Sequence, residues 1–296
     1  MTDFSLEFVF ASGEKHSPKA EPNEWLLRSD ADTVADSLTV RFSAGKRLFM
    51  EEPVGAVLKK DGAVIFDGIV DEHRVKCQNG ARTEVFFLRS RAALLLDNEA
   101  APMELRLPSL RLLERMYLMP LGLHAVGGDR RPVEGVLTVE KGVSCFEALQ
   151  TFSERYLNCT PYTDKSGDVH FESYVPKTVK PDRVTAREVI FCPYKMLSGV
   201  TVQNAQTGAY SAEYHDPLAP QVRVRYLSAY AKTAPTALLN ESRRAAKRLK
   251  LTCASYIDGN MGDTMRTEEL GEVRLISKNV LLRGKDVKTE LHFEPV

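Results

Sequence analysis

VGAVLKKDGAVIFDGIVDEHRVKCQNGARTEVFFLRSRAALLLDNEAAP, residues 54–102, decides the fold. Val54 to Leu58 is a short apolar run, Lys59-Lys60-Asp61-Gly62 is a turn, and Ala63 to Val70 runs out again. An Asp-Gly pair between two strand-like runs is a strong hairpin signal, because both turn positions need a positive φ. A second strand pair follows, Glu72–Cys77 and Thr83–Leu88, with Gln78-Asn79-Gly80 at the bend. Arg89-Ser90-Arg91 then leads into Ala92 to Asp97, a short helix-like segment that closes the unit.

The same pattern extends upstream. Phe4, Leu6, Phe8 and Phe10 alternate with polar or smaller residues, as do Leu38, Val40 and Phe42, which marks half-buried strands. Trp25-Leu26-Leu27 opens another strand region, and Ala11 to Glu24 is a loop holding Pro18 and Pro22. Short strands joined by turns at this density indicate a barrel or sandwich over residues 1–102.

From Pro108 the period changes to that of helices. Ser109 caps a helix that stops at Gly122, and Ser144 caps a second one with Glu147 at the capping-box position. Asp164 to Asp168 is the turn of another hairpin. Residues 103–180 are therefore expected to form a small α+β insertion, with Pro176 and Pro181 bracketing a linker. Over 181–296 the β pattern returns in Leu197–Gln203, Val222–Ala229, Thr252–Ile257, Glu272–Ser277 and Asp286–Phe293. A helix is predicted over 236–251, with Arg243, Arg244, Lys247, Arg248 and Lys250 on its polar face. The expected fold class is mainly β (α+β).

Composition narrows the function. In 296 residues, Lys+Arg and Asp+Glu are both 40, so the basic excess of a dedicated nucleic-acid binder is missing. The N-terminus has no basic and apolar leader, and no window is long and apolar enough for a membrane span. The five cysteines, at 77, 145, 159, 192 and 253, contain no C-x-x-C pair and are expected to be reduced and mostly buried. His16, His73, His124, His170, His215 and His292 show no metal-type spacing. Glu213-His215-Asp216 is read as a polar turn before Pro217, and Gly127-Gly128 as a turn rather than a phosphate loop. Asp258 to Asp263 lacks the acidic spacing of a calcium loop. No catalytic, cofactor-binding or metal residues are assigned, and no cofactor is expected.

Two motifs carry a resemblance. Phe66-Asp67-Gly68-Ile69-Val70-Asp71 precedes Arg89-Ser90-Arg91-Ala92-Ala93-Leu94-Leu95-Leu96-Asp97-Asn98-Glu99-Ala100. Further on, Tyr156 is followed by Asp164-Lys165-Ser166-Gly167-Asp168-Val169-His170-Phe171. Together they resemble the baseplate hub proteins of contractile phage tails and tailocins, the late-control-D-like family. The motifs are turns and packing residues rather than reactive groups, and the chain is compact for such a hub.

The resemblance implies two tail-tube-type β-barrel domains, 1–102 and 181–296, around the 103–180 insertion, with helix 236–251 flanking the second barrel. It implies a non-enzymatic homotrimer that joins a six-fold tail tube, or a tube-initiator protein, to a three-fold central spike. Such a hub faces the tape-measure protein, and DNA passes through its lumen without sequence-specific binding. It implies synthesis in the bacterial cytoplasm, assembly into a virion tail or tailocin baseplate, and no membrane insertion. Two alternatives stand beside it. One is a tail-associated cell-wall hydrolase. The other is a ligand- or nucleic-acid-binding barrel, for which Arg223, Arg225 and Tyr226 are the candidate strand face.

Overall fold

The computed structural model describes residues 3–43, 45–231 and 233–296. It is mainly β, with mostly antiparallel sheets and short helices, as the sequence predicts. The chain forms two compact units. One comprises the residues up to Val175 with Asn279–Asp286, and the other comprises Pro176–Lys278 with Val287–Val296.

The first unit begins with seven strands: β1 (Phe4–Val9), β2 (Lys15–His16), β3 (Glu24–Asp30), β4 (Ser37–Ser43), β5 (Gly55–Lys60), β6 (Ala63–Gln78) and β7 (Ala81–Ser90). Their order across the sheet is β2-β1-β5-β6-β7-β4-β3. Both predicted turns take the left-handed geometry their sequence requires: Asp61 and Gly62 lie at φ 48° and 81°, Asn79 and Gly80 at 50° and 76°. The alternating residues face inward. Phe8 is fully buried, with the rings of Phe86, Phe49 and Phe42 centred 4.7, 5.0 and 6.2 Å away. The sequence splits β6 into two strands, but the structure makes it one of 16 residues. Its register shifts between Val70 and Glu72, so Asp71 is the extra residue of a β-bulge.

Residues 93–170 carry α1 (Ala93–Asp97), β8 (Met103–Arg106), α2 (Leu110–Leu113), β9 (Ala125–Val126), β10 (Val136–Val139), α3 (Cys145–Phe152), β11 (Tyr162–Thr163) and β12 (Val169–His170). Ser109 Oγ accepts the Leu112 N–H at 3.2 Å, and α2 continues through wider and tighter turns to Gly122, at φ 69°. The Ser144–Glu147 capping box is complete, with Glu147 N–H on Ser144 Oγ and Ser144 N–H on Glu147 Oε2. Leu110, Leu113, Leu118, Phe146, Leu149, Phe152, Val169 and Phe171 pack into one cluster with Leu95 of α1.

The second unit holds β13 (Val184–Phe191), β14 (Gly199–Gln203), β15 (Tyr210–His215), β16 (Val224–Leu227), α4 (Pro235–Ala245), β17 (Lys247–Cys253), β18 (Thr264–Thr267), β19 (Gly271–Arg283) and β20 (Asp286–Pro295). The tip of the β19–β20 hairpin belongs to the first unit, where Gly284 N–H donates to Asn23 O at 3.1 Å.

The helix predicted over 236–251 stops six residues short. It spans Pro235–Ala245, and Lys247–Cys253 is a strand. From Leu249 onward every second residue is buried, Leu249, Leu251 and Cys253, which is a strand period. Pairing to β13 on one side and β20 on the other satisfies the backbone that a longer helix would have had to satisfy internally. These side chains pack with Val273, Leu275, Leu291 and Phe293. Of the five cysteines only Cys145 and Cys253 are fully buried, and Cys77 is exposed on β6. None of the helices among the described residues is long and apolar enough to cross a membrane.

Candidate functional site

The motif residues meet in space. The ring of Phe66 folds under Gly68: a Cβ there would lie 2.4 Å from the ring and 2.3 Å from the Arg89 carbonyl oxygen. Arg89 then ties three segments together. Its guanidinium donates to Asp71 at 2.5 and 3.1 Å and to Asp97 at 2.7 and 3.1 Å, linking the β6 bulge and α1. The later motif closes on the same place. Gly167, at φ 87°, passes so close to Arg91 and Ala92 that a Cβ would lie 2.8 Å from the Arg91 Cβ. Asp164 holds that turn, accepting the Ser166 and Asp168 N–H groups at 2.9 and 3.1 Å and facing His170 Nε2 at 3.1 Å. These residues brace a crossover.

Other singled-out residues are also engaged structurally. His215 Nε2 lies 3.2 Å from Glu213 Oε2 on the exposed strand β15, but Asp216 turns away. Its buried carboxylate takes two bonds from Arg243 of α4, at 2.7 and 3.0 Å, and one from the Leu218 N–H. In the Asp258–Asp263 loop, Asp263 accepts the Lys177 and Asn260 N–H groups, and the buried Lys278 ammonium donates to Gly259 O at 2.5 Å. A lysine thus supplies positive charge inside that loop. Among the described residues no group of three or more His, Cys, Asp or Glu is placed to hold a metal. Gly127 and Gly128 form a packed turn at φ 67° and 71°. The basic stripe is divided: Arg243 and Arg244 are on α4, while Lys247, Arg248 and Lys250 are on β17.

The bonds from Arg243 hold the Asp216 carboxyl below the usual carboxylate range. A depressed folded-state value stabilises above the unfolded value, near pH 4, and the contribution is lost as pH falls through the folded one. Acidification below about pH 4 is therefore expected to detach the loop Asp216–Ala219 from α4. Hydrogen exchange at the Leu218 amide reads this out. Asp216→Asn should show the fast exchange already at neutral pH, and equal rates in both proteins would refute the tether.

The surface best suited to association is the small sheet of β14, β15 and β16. Its central strand β14 pairs antiparallel to β15 and parallel to β16. One face packs on α4 through Leu197, Val200 and Leu239. The other is open: Tyr226, two-thirds exposed, meets Tyr210 edge-on at 5.2 Å, and Val224 lies beside them on β16. All six residues of β15 are exposed. Exposed aromatic and apolar residues grouped in this way mark a contact surface. Of this group the sequence singled out Tyr226 but missed Tyr210. The available signal was the placement of four of the ten tyrosines within 210–230. The edge strand β13 was missed altogether, and it exposes Val184, Val189 and Phe191.

No family model and no curated protein matches the chain. Solved structures do. The 43 kDa tail protein of prophage MuSo2 from Shewanella oneidensis superposes with a TM-score of 0.78 at 14% identity, covering 100% of this chain and 98% of that one. The tail protein from Neisseria meningitidis superposes at 0.70 and 17% identity, covering 99% and 96%. The E. coli c3393 protein, a component of the type VI secretion system described as structurally similar to the T4 tail proteins gp27 and gp5, gives 0.54 at 9% identity, covering 99% and 77%. At these identities the likeness establishes the fold, and the fold is one found in phage tail proteins.

Proposed function

We propose that the chain is a structural component of a phage-tail-type particle, and within it the baseplate hub. The observation that carries this reading is superposition over the whole chain on two tail proteins of nearly the same extent. In this reading residues 1–102 and 181–296 are the two tube-type barrels, and 103–180 is the insertion. Three copies form the ring that joins the tail tube or its initiator to the central spike. The ring faces the tape-measure protein, and DNA crosses its lumen without sequence readout. The chain's work is mechanical, and no catalytic step is assigned to it. The open face around Tyr210 and Tyr226 and the exposed edge of β13 supply the kind of surface that ring assembly needs.

Analytical ultracentrifugation of the purified full chain, alone and mixed with the central-spike protein of the same particle, tests the reading. A mass of three copies in either sample is expected. A monomer in both overturns it.

A further inference from the structure

A second surface lies on the first unit, on the outward face of the sheet. At the turn end of β7 the outward residues are Ala81, Thr83 and Val85, all modest in size, before the larger Phe87. Their neighbours across the strands are long: Arg74, Lys76 and Gln78 on β6, and Arg41 on β4. Arg41 and Arg74 both sit opposite Val85, one on each side, and Lys76 sits opposite Thr83. Small residues between long ones make a trough along β7, a concavity of about 600 Å³ closed at the turn by Asn79.

Every charged residue lining this trough is positive. Arg74 is compensated by Glu72, which takes two bonds from its guanidinium, and the guanidinium also covers Phe87 at 4.8 Å. Arg41 and Lys76 make no ion pair among the described residues, and both are exposed. Gln78 and Asn79 add amide donors. We propose that this trough binds an extended acidic segment of a partner protein, lying along β7 with carboxylates at alternate positions.

The spacing supports this occupant. Successive outward residues of a strand are about 6.6–6.8 Å apart, the same interval as alternate side chains of an extended peptide. One carboxylate then falls between the guanidiniums of Arg41 and Arg74 over Val85, and the next falls beside Lys76 over Thr83. Guanidinium and carboxylate match as two parallel hydrogen bonds. A nucleic-acid strand fits less well. Its binding without sequence preference draws on open aromatic rings, and the ring at this place, Phe87, lies under Arg74. The inference is independent of the hub reading, because it rests on the sheet face alone.

The test titrates the full chain with a synthetic peptide carrying glutamate at every second position and glycine between, at low salt. Its glutamine counterpart and an oligothymidylate of equal charge serve as comparisons. The acidic peptide is expected to bind, the glutamine peptide not to bind, and the oligothymidylate to bind more weakly. The double variant Arg41→Gln, Lys76→Gln should lose at least about tenfold in affinity with unchanged unfolding. Thr83→Tyr keeps every charge but fills the floor, and it should lose binding too. Failure of the acidic peptide to bind, equal binding of the glutamine peptide, tighter binding of the oligothymidylate, or full binding by either variant would each overturn the proposal.

Discussion

Gly68→Ala is expected to destabilise the first unit by about 3 kcal/mol, the upper end of the cost of overpacking. Gly68 has ordinary negative-φ backbone, so the effect is not one of conformational freedom. It comes from what surrounds the missing side chain. The Arg89 carbonyl oxygen would be 2.3 Å from the new methyl, and two carbons of the Phe66 ring would be 2.4 and 2.6 Å away. The carbonyl is fixed by the β6–β7 ladder, and Phe66 is only 1% exposed, so neither can retreat cheaply. Gly55 on the adjacent strand approaches the Gly68 carbonyl in the same way, with a Cβ position 2.7 Å from that oxygen. Trp25, the single tryptophan and a buried residue of this unit, reports unfolding in a urea titration. A loss under about 1 kcal/mol, well below the expected overpacking cost, would mean that the strands separate easily and that the close approach is incidental.

The second large effect is expected for Phe8→Ala, at about 4 kcal/mol. Phe8 is fully buried at the centre of the inward face, and it touches rings from three other segments. Truncation removes its own burial and also leaves Phe42, Phe49 and Phe86 facing a void that β-sheet backbone cannot close. Two of those contacts are ring pairs at 4.7 and 5.0 Å, which contribute beyond buried area. The same tryptophan titration measures it. Phe8→Leu should retain most of the stability, and if the two variants behave alike, the ring contacts contribute nothing beyond volume.

The residues explain which parts of this architecture were legible. Alternation in β1 and β4, the Asp61-Gly62 and Asn79-Gly80 turns, and the Ser144–Glu147 box are local devices, and each formed where the sequence placed it. The failures have physical causes of two kinds. Leu238, Leu239, Ala245, Ala246 and Leu249 have helical spacing, but the strand choice at Lys247–Cys253 depends on β13 and β20 being available to pair, and they lie far away in sequence. β13 is exposed along nearly its whole length, so it carries no buried period to detect. The trough on β7 is hidden for a related reason: its walls come from residues 41, 74, 76 and 78, and only the register makes them neighbours. The motif positions were visible as letters, and their meaning is mutual. Gly68, Arg89 and Gly167 make sense only once Phe66, Asp97 and Arg91 are beside them.

The bulge at Asp71 has a consequence for how this sheet tolerates changes in chain length. Val70 lies opposite Leu88, Glu72 opposite Phe87 and His73 opposite Phe86, so Asp71 takes no place in the count of pairs. Omitting it would leave inward residues inward and outward residues outward, at the expense of one partner of Arg89. An omission two or three positions later would invert the remaining residues of β6, turning Lys76 and Gln78 to the other face. Position 71 is thus a point of slack in the pairing of β6 with β7, as Ile65 is in its pairing with β5, and drift in length there spares both surfaces.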